Sequence, residues 1–165
     1  MFNLLSYGQK KESYFVDNSK PENVVNAIFY AAGNNDFSVL KGLCDPKNMG
    51  DDDTKLICWL CDTTIIKDST AYDFISESGS KYESIPLDTV KREMKRFLSD
   101  WRPQFVRMFE NGKIVGDTKY MTGIEGIPDI PSAYVPIQYN DPKGNVIKGS
   151  VLMINRNEKW YLIGI

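Results

Sequence analysis

The chain contains no histidine, and that absence excludes more chemistry than any residue present suggests. It removes the commonest general base, every His-based triad or dyad, and every His-ligated metal site. Any catalysis would have to run on carboxylates, Tyr, Lys, Cys or backbone donors. A basic surplus is missing as well: 20 Lys and Arg stand against 22 Asp and Glu, a net charge of −2. That balance argues against a nucleic-acid partner. No apolar run reaches the roughly 18 residues a membrane span needs. The chain also lacks a Gly-rich phosphate loop, a Gly-x-Ser-x-Gly elbow and a His-Glu motif. The sequence therefore assigns no cofactor, no metal and no catalytic residue.

What is present fits one domain. A chain of 165 residues with 42% hydrophobic content can bury a core without staples. Residues 1–18 read as an N-terminal tail or as the remnant of a signal peptide, and 19–165 as a single α+β domain. Phe2, Leu4 and Leu5 followed by Ser6-Tyr7-Gly8 match the distal half of a bacterial secretion signal, while the basic region and most of the apolar run are missing. This predicts a periplasmic or secreted protein if Met1 lies within a longer signal, and a cytoplasmic one otherwise. No Cys follows the apolar residues, so a lipid anchor is not supported.

The N-terminal half has the pattern of helices. Ser19-Lys20-Pro21-Glu22 is a helix start, with Ser19 as cap and Pro21 where a missing N–H is harmless. Val24, Val25, Ile28, Phe29, Ala31 and Ala32 then form an apolar stripe, and Gly33-Asn34-Asn35 ends it. Asp36 opens a short second helix with Phe37, Val39, Leu40 and Leu43 inward. Asp51-Asp52-Asp53 lacks the spacing of a calcium loop and reads as the cap of a helix from Thr54 to about Ile66. A short helix over Asp68–Ser76 and a loop at Ser78-Gly79-Ser80 follow. Pro86 and Asp88 announce the longest amphipathic stretch, in which Val90, Met94, Phe97, Leu98, Trp101, Phe105 and Met108 keep helical phase, with Pro103 as a kink or a restart. Its basic residues read as a solvated face.

The C-terminal half has the period of strands. Ile114–Gly123 is the first, a rigid loop holding Pro128 and Pro131 follows, and Ala133–Asn140, Val146–Ile154 and Trp160–Ile165 make an antiparallel meander. Val151–Ile154 is apolar on both faces, as in a strand covered on two sides.

Cys58-Trp59-Leu60-Cys61 falls inside an apolar helical run, unlike a redox pair at a helix N-terminus. Two readings stay open: packed, inert thiols, or, in an exported protein, a disulfide from Cys44 to Cys58 or Cys61 with one cysteine left over.

The helix beginning Pro21-Glu22, the turn Gly33-Asn34-Asn35-Asp36-Phe37, the short helix ending Leu43-Cys44-Asp45-Pro46 and the closing Glu158–Ile165 together resemble nuclear transport factor 2-like domains. That superfamily includes ketosteroid isomerase and SnoaL relatives. The resemblance implies N-terminal helices packed on a curved antiparallel C-terminal sheet, a conical barrel around a cavity. It also implies a homodimer through the sheet. Residues 50–88 depart from the short family members.

Two functions follow from this sequence. One is an exported, non-catalytic binding module for a small apolar ligand or a protein partner, with Tyr30, Trp59, Trp101, Phe105 and Tyr139 as candidate pocket lining. The other, implied by the resemblance, is a histidine-free isomerase or lyase in which a carboxylate abstracts a proton and a Tyr stabilises the oxyanion. Its residue types are Tyr30, Tyr72, Tyr120, Tyr134 and Tyr139 with Asp62, Asp73 or Asp117, and no spacing selects a set.

Overall fold

The structure, a computed structural model, describes residues 16–45, 47, 50–62, 86–124 and 127–165. The expectations for the N-terminal apolar segment, for the helix over 68–76 and for the loop at 78–80 lie outside these residues. Within them the fold is α+β, with helices first and a curved antiparallel sheet after. The helices are α1 (Pro21–Asn34), α2 (Asp52–Cys61) and α3 (Leu87–Phe109), with a 3-10 turn at Phe37–Leu40. The strands are β1 (Lys113–Ile114), β2 (Lys119–Ile124), β3 (Ile127–Asn140), β4 (Val146–Arg156) and β5 (Lys159–Gly164).

Helix α1 starts and stops for different reasons. Pro21 sits in its first turn, but Lys20 is the capping residue and makes no side-chain bond. Ser19 is instead turned back on Asp17, which accepts from both its amide and its hydroxyl. Glu22, expected in a capping box, accepts from the Thr118 hydroxyl and so ties α1 to the segment before β2. At the other end Asn35 takes the left-handed conformation at φ 50°. Arg102 of α3 seals that terminus: its Nε donates to the Asn35 side chain at 2.8 Å and its Nη2 to the Asn35 carbonyl at 2.7 Å. A cation there meets the negative end of the helix dipole.

Strand β3 is the spine of the sheet, pairing with β1 and β2 on one side and β4 on the other. The expected first strand, Ile114–Gly123, is broken in two, and Pro136 accounts for the break. Its carbonyl accepts from the Val115 amide at 3.0 Å. In an antiparallel ladder a residue's N–H and C=O face the same neighbour, so the proline's missing donor faces the edge strand where β1 stops. The expected rigid loop at Gly126–Pro131 is corrected too. From Ile127 onward this stretch is strand, paired with β2 through Thr122↔Pro131. Proline is tolerated there because β4 joins β3 only from Ser132.

Ala133, Val135 and Ile137 of β3, Val151 and Met153 of β4, and Trp160 and Leu162 of β5 face the helices and are buried in one core with α1, Phe105 and Phe109. Leu152 and Ile154 point to the other face by alternation. Ile154 is nevertheless buried within the single chain, so its burial needs no partner subunit. Phe97 departs from its stripe: it is an exposed residue of α3, whereas Phe109 is buried.

Curvature shows in one contact. In a flat sheet three spacings of about 4.8 Å would hold β2 roughly 14 Å from β5. Yet the rings of Tyr120 on β2 and Trp160 on β5 lie 5.8 Å apart, both on the helix-facing side. The sheet curls around its helices but does not close: the expected conical barrel is an open, curved sheet.

The outer edge of β5 is occupied by short segments from earlier in the chain. Trp160 donates its amide to the Asn18 carbonyl at 2.8 Å, and Leu162 donates to the Leu43 carbonyl at 2.8 Å. The Asp51 amide reaches the Ile163 carbonyl at 3.0 Å. Gly50, at φ 71°, lies so close to the Ile163 backbone that any side chain there would collide with it. Arg156 bonds the fully buried Asp45 at 3.0 Å.

Candidate functional site

A recess of about 100 Å³ opens between α2, α3, β3 and the C-terminal end of β5. Helix α3 supplies Trp101, Gln104, Phe105, Met108 and Phe109, spaced three or four apart and so on one face. Tyr139 comes from β3, Asp53 and Ile57 from α2, and Ile165 from beyond β5. The rings form a continuous run. Trp101 and Phe105 have centroids 5.4 Å apart, Phe105 and Phe109 4.8 Å, and Phe109 stacks on Tyr139 at 5.0 Å with planes inclined by 14°. Such offset pairs fix ring orientation as well as burying area. Phe105 and Phe109 are core, while Trp101 and Tyr139 keep part of their surface open.

The α2 wall is fastened to the sheet at two points. Asp51 caps the helix, accepting from the Thr54 amide at 2.8 Å, and its second oxygen accepts from the Ile165 amide at 3.3 Å. About two turns further on, Cys58 is joined by a disulfide to Cys44, with Cα atoms 6.1 Å apart. Cys44 itself bridges to Leu162 of β5. Of the alternatives for the cysteines, the disulfide is the one formed, and Cys61 remains as the thiol. Burial, then the neighbouring Asp62, pushes Cys61 up to about 11. A thiol so placed carries almost no thiolate at neutral pH and is a poor nucleophile.

Among the described residues one side-chain carboxylate borders the recess, that of Asp53. Asp52 pairs with Lys55 at 3.0 Å and Asp51 is used by the cap. Among the described residues Asp53 has neither a hydrogen bond nor an ion pair. Loss of solvent, followed by repulsion from Asp51 and Asp52, raises its carboxyl above the ordinary value. Among the described residues the lining contains no Lys or Arg.

The sequence candidates divide. Trp101, Phe105 and Tyr139 converge on the recess. Trp59 does not: it is fully buried on another side of α2, where it lines a more open recess of about 220 Å³ with Leu98, Lys95 and Arg102. Tyr30 is a half-buried residue of α1 packed against the core, outside the recess lining. Sequence reading missed Asp53, taken only as part of a cap, and Gln104 and Phe109. Phe109 keeps the helical phase from Phe105 and was within reach of the same periodicity. Among the described residues no group of three His, Cys, Asp or Glu is placed to hold a metal, and no helix is long and apolar enough to cross a membrane. No protein-family model, no curated protein and no solved structure matches the chain.

Proposed function

We propose that the chain is a non-catalytic binding module of the nuclear transport factor 2-like type, exported to an oxidising compartment. Its site is the recess between α2, α3 and β3. The observation that carries this reading is the convergence of Trp101, Phe105 and Tyr139 on one concave space with Phe109 behind them. Pockets for drug-sized ligands measure about 300–1,000 Å³. A volume of about 100 Å³ suits a fragment-sized apolar group, whether a small ligand or one side chain of a protein partner. Export is supported by the Cys44–Cys58 disulfide, because such bonds persist mainly outside the cytosol. The outer sheet face, with half-buried Tyr134 and Leu152 paired across β3 and β4, is the surface we assign to a homodimer. Sedimentation at two protein concentrations checks that assignment.

The test of the site is a panel of fragment-sized aromatic and aliphatic compounds, read by thermal shift and by Trp fluorescence, against the wild type and Trp101→Leu. The expected result is at least one compound that stabilises the wild type and loses about tenfold in affinity in the variant, a difference of about 1.4 kcal/mol. No shift with any compound overturns the ligand reading.

One observation favours the histidine-free isomerase as a second reading: Asp53 and Tyr139 border the same recess. A base with a raised pKa suits proton abstraction near neutral pH. Against it, Asp53 is an exposed residue and no hydrogen bond joins it to Tyr139. Deuterium exchange α to the carbonyl of a small cyclic ketone, abolished in Asp53→Asn, would establish it, and the absence of exchange in the wild type removes it.

A further inference from the structure

We propose that the recess selects organic ammonium cations, with a methylated ammonium head lodged against Trp101 and Tyr139 and its charge facing Asp53. The inference rests on the binding-module reading and names the ligand class of that site.

Three observations carry it. The walls are rings whose faces hold partial negative charge, and Trp and Tyr are among the better partners for a cation within about 6 Å. Trp101 and Tyr139 are the two rings of the run that keep open surface. Next, the carboxylates of Asp51 and Asp52 are committed to the cap and to Lys55, which leaves Asp53 as the acid with no partner among the described residues. Finally, among the described residues of the lining Asp53 is the one with a charged side chain.

Each alternative ligand class meets a specific obstacle. A neutral apolar ligand would be held by the rings alone and gain nothing from Asp53. An anion would meet Asp53, and among the described residues no Lys or Arg of the lining answers it. The positive N-terminus of α2 opposes a cation, but it amounts to about half a charge. Asp51, Asp52 and Asp53 stand in or beside that first turn and outweigh it. A primary ammonium would keep its tightly held water. Methyl groups lower that hydration and supply an apolar skin that the rings can contact. Desolvation already disfavours the ionised Asp53, so an incoming cation relieves a burden present in the free protein.

The test compares choline with 3,3-dimethylbutan-1-ol, which has the same shape and no charge. Binding to the full chain is read by Trp fluorescence and by chemical-shift mapping at the Trp101 indole and the Gln104 side-chain amide. Choline is expected to bind at least tenfold tighter than the alcohol, with the preference shrinking as salt rises. Asp53→Asn should abolish the preference. Asp52→Asn removes the same charge outside the recess and should change choline affinity less than twofold. Equal binding of choline and the alcohol overturns the cation inference and leaves the binding module standing. Equal loss in both variants overturns it too, since the effect would then be a diffuse field. If neither probe nor any compound of the fragment panel moves the Trp101 signals, both readings fall.

Discussion

The two long edges of the sheet are built in opposite ways. The β5 edge is closed by Asn18, by Leu43 and Cys44, and by Asp51, each from a different segment of the N-terminal half. The opposite edge is a strand interrupted at Pro136, with Tyr120 and Met121 exposed along β2. The difference explains where the recess lies. Its α2 wall packs into the core through Ile57 and is fastened to the closed edge by Asp51 and Cys58. The open edge is tied to α1 through Thr118 and Glu22, and among the described residues it carries neither a disulfide nor a recess wall. A chain with one braced edge can present a rigid site beside it while the other edge relaxes around a proline.

Breaking the braced edge should therefore cost far more than trimming the open one. Arg156→Met leaves the Asp45 carboxylate buried without its cation, and urea unfolding should show a loss of about 3–5 kcal/mol. A loss below about 1 kcal/mol would mean that the pair does not hold this corner. Removing the disulfide with Cys44→Ser and Cys58→Ser together opens a loop with a sequence separation of 14. The loss should be about 3 kcal/mol by loop-closure entropy. Ligand affinity at the recess should fall with it, because α2 loses one of its fastenings. On the open edge, Tyr120→Ser should cost about 1 kcal/mol, the scale of one exposed aromatic pair. It should also shift the emission of Trp160, since the two rings meet across the curled face. An unchanged Trp160 signal would argue that the sheet is flatter than described.

Much of this architecture is legible in the sequence. The spacing of Val24, Val25 and Ile28 announces α1, and Asn35 takes the left-handed position that the Gly-Asn-Asn turn predicts. Asp51 caps α2, as an acidic residue before a helical stripe should. Prolines misled at Pro128 and Pro131, because a missing N–H reads as a loop unless one knows that the strand has a neighbour on one side only. Periodicity was also blind to direction. It marks Trp59 and Trp101 equally as inward, but α2 is buried on more than one side and Trp59 faces away from the recess. Asp53 was legible as a cap residue and not as a wall. Its second role depends on Tyr139, which arrives from 86 positions further along the chain.

The ties to β5 and to the end of β4 also set a timetable for folding. Asn18 waits for Trp160 across 142 positions, Asp45 for Arg156 across 111, and Asp51 for Ile165 across 114. Contacts so distant in sequence form slowly, because chain entropy must be lost before they are rewarded. During synthesis the N-terminal helices would emerge long before the strand that anchors them, with their apolar stripes uncovered. Until β4 and β5 arrive, the stripe of Val24, Val25 and Ile28 has no complete sheet to pack on, so the helices and the sheet of this core are committed together.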